Sequence, residues 1–101
     1  MARLIEIRPA EESTSSLALQ VGDLLLFWAT GGHVRHDADS VEFLGPFRTG
    51  VLANDGRIHS QEGPPNRVAF LARRSGRAEI DVVRGDPWSK TQTTTFDLTV
   101  E

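Results

Sequence analysis

Two histidines and two aspartates lie within seven residues of the sequence, in the segment HVRHDAD: His33, His36, Asp37 and Asp39. Imidazole and carboxylate groups are ligands that zinc and other divalent ions accept. The spacing provides no third strong ligand at motif distance, and His59 could complete a set only if the fold brought it near. The alternative is a solvated polar loop, so we predict no metal site here.

The motifs of common enzymes are missing from this sequence. It contains no Gly-x-Ser-x-Gly elbow, no His-Glu-x-x-His pair and no phosphate-cradling glycine loop. It also contains no cysteine, which excludes thiol catalysis, disulfides and thiolate metal ligands. No spacing places a nucleophile beside a base. We therefore predict a protein that is not an enzyme, needs no cofactor and acts by binding.

A tryptophan directly after a turn is the residue type best suited to binding. In the segment EIDVVRGDPWSKT an alternating strand runs into Gly85, Asp86 and Pro87, and Trp88 follows. An amphipathic ring at a loop tip makes a good anchor for a protein partner. The alternative is that Trp88 folds back and covers the open end of the core.

The elements that carry these residues are predicted to be β-strands, because apolar residues recur with a period of two in SLALQV, RVAFLAR, RAEIDVV and TFDLTVE. This alternation is typical of half-buried strands in an antiparallel sheet. Turn signals such as NDG separate the strands. We predict an all-β protein: an immunoglobulin-like antiparallel β-sandwich of about seven to eight strands, with residues 1–101 as a single domain. A small closed barrel is the alternative fold.

One predicted strand, DLLLFWA, is apolar on both faces. Alternation places Leu25, Phe27 and Ala29 on one face, and Leu24, Leu26 and Trp28 on the other. The second face could be covered by a loop or by the N-terminal segment. It could also be an exposed patch, in which case Leu24, Leu26 and Trp28 are candidates for self-association.

The composition excludes other classes of partner. The formal net charge of −3 is no footprint for nucleic acid, which calls for clustered lysine and arginine. No apolar run approaches the roughly 18 residues of a membrane span. The opening residues MARLIEIRPA lack the apolar segment of a signal peptide. We therefore expect neither nucleic acid nor membrane as a partner. The localisation stays open, with an exported or periplasmic protein expected if the sequence is a trimmed mature part.

Taken in order, the segments LALQVGDLLLFWATGG, NRVAFLARRSGRAEIDVVRGDPW and TTFDLTV resemble the chagasin-like inhibitors of cysteine proteases, which have an immunoglobulin-like fold. The resemblance covers roughly residues 17–100. The same segments are less specifically similar to bacterial immunoglobulin-like domains of group 2, which share the VGD and ATGG opening. The two resemblances imply different functions: a protease inhibitor, or a structural or adhesive module without a protease target.

The chagasin-like resemblance implies a binding surface made of three loops at one end of the sandwich. The corresponding residues here are Thr30, Gly31 and Gly32 in the first loop, Gly63 and Asn66 in the second, and Asp86, Pro87 and Trp88 in the third. They are expected to contact a protein partner, with a papain-type cysteine protease as the candidate. Trp88 would be the anchor, and the paired glycines would permit close backbone approach. The family's Asn-Pro pair is missing before Thr30, and Asp86 replaces an arginine.

Overall fold

The computed structural model describes residues 2–7, 16–60, 62–86 and 90–101, without the side chains of Asp37 and Asp86. In chain order the strands are β1 (Leu4–Ile7), β2 (Ser16–Leu19), β3 (Leu24–Phe27), β4 (Gly31–Val34), β5 (Val41–Phe47), β6 (Gly50–Leu52), β7 (Ile58–Ser60), β8 (Arg67–Ala72), β9 (Gly76–Asp86) and β10 (Lys90–Val100). A single 3-10 turn, Arg35–Asp37, follows β4 within these ranges. No helix in this part of the chain is long and apolar enough to cross a membrane.

Two four-stranded sheets make up the body of the protein. Their strand orders are β1-β3-β8-β5 and β2-β10-β9-β4, while β6 and β7 pair only with each other. The prediction of an all-β, immunoglobulin-like sandwich is confirmed. Two details differ from it. The β6–β7 hairpin raises the strand number above eight, and β1 and β2 each join a sheet edge in parallel, so the sheets are not purely antiparallel.

The alternation in the sequence determines which side chains form the core. Leu25, Phe27 and Ala29 are buried, as the pattern of β3 predicts. The ring of Phe27 contacts Phe70 of its own sheet, with centroids 5.9 Å apart, and Phe96 of the opposite sheet at 5.3 Å. The interior between the two sheets is therefore filled by packed aromatic and aliphatic side chains, a main source of stability for a sandwich.

The second face of β3 points away from the core. Leu24, Leu26 and Trp28 are each half-buried on this outer face. The guanidinium carbon of Arg67 lies 3.8 Å from the centroid of the Trp28 ring, a cation–π contact that covers part of the indole. Self-association through Leu24, Leu26 and Trp28 stays a prediction.

A buried carboxylate holds the turn between β2 and β3. Asp23 is fully buried, and its oxygens accept hydrogen bonds from the Arg3 guanidinium and, at 2.8 Å, from the backbone N–H of Gln20. The hydrogen bond from Arg3 and the one from Gln20 lower the pKa of Asp23 to about 2. Gly22, with φ of 97°, supplies the left-handed residue that this turn requires.

Candidate functional site: the loop end

Three connections meet at the end of the sandwich where β3 ends and β8 begins. The strand pairs Phe27–Val68 and Gly31–Val83 place the residues after β3 beside both the start of β8 and the last part of β9. We call this region the loop end and define it as residues 28–30, 62–66 and 84–86. Backbone and side-chain hydrogen bonds join the first segment to each of the other two.

Thr30 joins the first segment to the third. Its backbone N–H donates to the carbonyl of Val83 at 2.9 Å. Its hydroxyl donates to the same carbonyl at 3.1 Å and approaches the carbonyl of Gly85 at 3.4 Å. Arg84 adds a further link, since its Nε donates to the carbonyl of Trp28 at 3.2 Å. Burial of the guanidinium lowers the pKa of Arg84.

Asn66 joins the second segment to its neighbours on both sides. Its carbonyl accepts the N–H of Ala29 at 3.2 Å, and its own N–H donates to the carbonyl of Phe47 at 3.0 Å. Its side-chain oxygen accepts the hydroxyl of Thr49 at 3.1 Å. The positions of the first and second segments are therefore coupled through one asparagine.

A recess of about 350 Å³ lies between the three segments, and we call it the notch. Its lining combines an indole, two prolines and small side chains with one guanidinium. The lining residues are Trp28, Ala29, Thr30, Pro64, Pro65, Asn66, Arg84 and Gly85. The described part of the loop end therefore contains a largely apolar hollow between its segments.

The structure brings some of the residues expected to bind a partner to the loop end. Thr30 and Asn66 both line the notch. Gly63 is exposed beside them, with φ of 109° and open space where a side chain would begin. The backbone of Asp86 pairs with Lys90 at the far end of the β9–β10 hairpin. Pro87 and Trp88, like the side chain of Asp86, lie outside the described residues.

The paired glycines are part of a strand and not of a loop. Gly31 and Gly32 begin β4. A Cβ on Gly32 would lie 2.7 Å from the carbonyl oxygen of Asp81 and 3.0 Å from the ring of Phe70. The close approach that Gly32 permits is therefore to neighbouring parts of the protein itself. Contact between Gly32 and a partner stays a prediction, and the packing of Gly32 does not support it.

Another glycine shapes the third segment. Gly85 has φ of 96°, and a Cβ there would overlap the carbonyl oxygen of Lys90. A side chain at this position would strain the backbone and separate the two strands of the hairpin. The last described pairs of β9 and β10, Gly85 with Thr91 and Asp86 with Lys90, can form in this way only with glycine at residue 85.

The histidine and aspartate segment contributes to a different surface. His33 Nε2 lies 3.3 Å from Asp81 Oδ2, and Arg35 Nε lies 3.5 Å from the same oxygen. Thr95 donates its hydroxyl to Asp81 Oδ1 at 2.7 Å. In the described part of the chain no three His, Asp or Glu side chains are placed to hold a metal ion.

Two residues of the loop end were missed by reasoning from the sequence. Trp28 was assigned only to the outer face of β3, and Arg84 only to the strand before the turn. The signal for Trp28 was its place as the last residue of an apolar run, next to Ala29 and Thr30. No signal in the sequence indicated that Arg84 would reach back to that run, because the contact joins residues 56 positions apart.

Two solved structures share the arrangement of this chain. The solution structure of amebosin matches with a TM-score of 0.55 and 14% identity, over 96% of this chain and 97% of that one. The crystal structure of the cysteine protease inhibitor EhICP2 from Entamoeba histolytica matches with a TM-score of 0.60 and 10% identity, over 99% and 97%. This chain has the fold of those two proteins. Comparison with protein-family models finds no match, and comparison with curated proteins finds none.

The structural similarity bears on the resemblance drawn from the sequence. The match to a cysteine protease inhibitor along almost the full length of both chains supports the chagasin-like resemblance in its fold. At 10 to 14% identity the similarity extends to the fold and no further. The weaker similarity to bacterial immunoglobulin-like domains of group 2 stays a prediction.

Proposed function

We propose that this protein is a non-enzymatic binding domain that inhibits a papain-type cysteine protease by placing its loop end in the protease cleft. The observation that carries the proposal is the convergence of three chain segments at one end, joined through Thr30, Asn66 and Arg84. EhICP2, which shares the fold, is a cysteine protease inhibitor. The resemblance in the sequence assigns the same end of the sandwich to protease binding.

The inhibition is steric and involves no covalent bond. The described residues of the loop end include no cysteine or other nucleophile held next to a base, and the chain has no thiol. The segments would fill the cleft and exclude a substrate. Asp86, Pro87 and Trp88 are proposed to contact the protease as well, with Trp88 as the aromatic anchor.

The hydrogen bonds within the loop end would favour tight binding. Each segment is held to a neighbour by bonds to backbone carbonyls, so less conformational freedom is lost when a partner binds. The two segments that Thr30 joins come from β3 and β9, which belong to different sheets. The sandwich therefore acts as the rigid support that positions all three segments.

The test is a titration of the purified protein into papain while the hydrolysis of a peptide substrate is followed. We expect inhibition that reaches its end point at one equivalent. A protein that leaves papain fully active at tens of micromolar would contradict the proposal. That result would favour the alternative of a structural or adhesive immunoglobulin-like module.

A further inference from the structure

The chemistry of the notch indicates what it can receive. Trp28, Pro64 and Pro65 give it apolar walls, and its volume is about 350 Å³. A hollow of this size is filled by several water molecules when no ligand occupies it. Transfer of apolar surface out of water is favourable, so an apolar side chain that displaces these waters would bind. The notch has room for one such side chain.

The charge beside the notch narrows the choice of ligand. Arg67 lies over the ring of Trp28, one of the lining residues, and no described carboxylate forms an ion pair with it. Some other described arginines pair with acids: Arg35 lies 3.3 Å from Glu79, and Arg73 lies 3.3 Å from Glu42. A guanidinium offers a planar fork of donors that matches a carboxylate. Arg67 can therefore accept an acidic group brought by a ligand.

We propose that the notch binds an apolar side chain of the protein partner, and that Arg67 pairs with an aspartate or glutamate next to that side chain. The inference deepens the proposed function and rests on it, since the partner is the protein that meets the loop end. It makes recognition reciprocal. The loops enter a cleft of the partner, and a side chain of the partner enters the loop end.

The position of the notch gives such a contact a large share of the binding energy. Side chains that fill a pocket near the centre of an interface, shielded from water by surrounding contacts, dominate binding. The notch lies between all three segments, so a partner that covers the loop end also seals the notch. A partner without an apolar side chain at this position would leave water in the notch and would bind more weakly. The contact would therefore discriminate between partners.

The test uses short peptides and no protease. The probe is N-acetyl-Leu-Glu-amide, titrated into the isotope-labelled full chain while backbone amide signals are followed by NMR. We expect saturable shifts at Thr30, Asn66 and Gly85, and none at Gly56 in the β6–β7 turn. N-acetyl-Ser-Glu-amide should bind about tenfold more weakly, because the buried leucine is lost. N-acetyl-Leu-Gln-amide should bind about threefold more weakly, because the ion pair is lost.

A pair of matched variants tests the role of Arg67. In Arg67→Gln the Glu and Gln peptides should bind equally, whereas in Arg57→Gln, on the exposed β6–β7 turn, the threefold preference should persist. Dispersed spectra of both variants confirm that each is folded. Equal discrimination in both variants would overturn the assignment of Arg67. Equal binding of the Leu and Ser peptides, or no shift at the notch, would overturn the proposal as a whole.

The outcome is separate from that of the papain titration. Inhibition of papain together with no peptide binding would leave the proposed function in place and overturn the role of the notch. Peptide binding at the notch without inhibition of papain would support the notch and contradict the choice of a papain-type protease as its partner.

Discussion

At one end of the sandwich the buried carboxylate of Asp23 ties Arg3 to the turn before β3, whereas at the loop end the segments are tied mainly through backbone carbonyls. Backbone bonds also join the Asp23 end, such as the one from the Leu24 N–H to the carbonyl of Arg3, but its side-chain links depend on one buried aspartate. The loop end uses Val83 and Asn66 carbonyls, which any residue at those positions would supply. The contribution of buried polar side chains to stability is therefore concentrated at the Asp23 end. At the loop end, side chains that make no such link can vary while the backbone bonds stay in place.

Replacement of Asp23 is expected to have the largest effect. Asp23→Ala removes a buried acceptor and leaves the Gln20 N–H without its partner, which should lower the free energy of unfolding by about 2 kcal/mol. Asp97→Ala, at an exposed position of β10, is the matched control and should change it by less than about 0.5 kcal/mol. Urea unfolding measures both. Equal stability of the two variants would contradict the contrast between the ends.

The acid dependence of stability should come from the same residue. The pKa of Asp23 is about 2 in the folded protein, below the value of about 3.9 of an unperturbed aspartate. The unfolded chain therefore takes up this proton first as the pH falls. The stabilisation is fully present above about pH 4 and is lost as the pH falls toward 2. Urea midpoints measured across this range should fall less in Asp23→Asn than in the parent protein, and an identical decline would count against Asp23.

A side chain at Gly85 should affect the loop end more than the body. Gly85→Ala places a methyl group against the carbonyl of Lys90 at a left-handed position, which should cost about 1 kcal/mol. Because the third segment of the loop end, residues 84–86, would shift, inhibition of papain should weaken as well. Gly56→Ala, also at positive φ but with open space around it, provides the control. It should lose similar stability and keep full inhibition.

The smallest effect on stability is expected for Thr30. Thr30→Ala removes a half-buried hydroxyl but leaves the backbone bond to Val83, so unfolding should change by about 0.5 kcal/mol. Inhibition should still weaken, since the first and third segments lose one link. Thr99→Ala on exposed β10 serves as the control for both measurements. A Thr30 variant that inhibits as well as the parent protein would remove this residue from the site.

The sequence predicted the strands and their inward faces well, because alternation in β3, β8, β9 and β10 is a local pattern. The resemblance to chagasin-like inhibitors implied that the segments of Thr30 and Asn66 lie at the same end, and Ala29 does donate its N–H to the carbonyl of Asn66. The sequence did not predict the contact of Arg84 with the carbonyl of Trp28, nor the notch, because both arise from residues far apart in the chain. The strand position of Gly32 was missed for the same reason, since its tight contacts come from Asp81 and Phe70.

The sequence also did not predict that β1 pairs in parallel with β3, or that β2 pairs in parallel with β10. Alternation shows which face of a strand is buried but not the direction of its neighbour. Both strands are four residues long, and each lies at the edge of a different sheet. Their pairing depends on which strands the fold brings beside them, and no residue pattern within them indicates it.

The most direct test of the central claim is to locate the protease contact on the protein. The isotope-labelled chain is mixed with papain whose active-site thiol has been alkylated with a small group, and the amide signals are recorded. We predict that Thr30, Asn66 and Gly85 lose intensity or shift, while Asp23 and Arg73 at the other end are much less affected. Changes centred on Asp23 and Arg73, or no changes at all, would contradict the account.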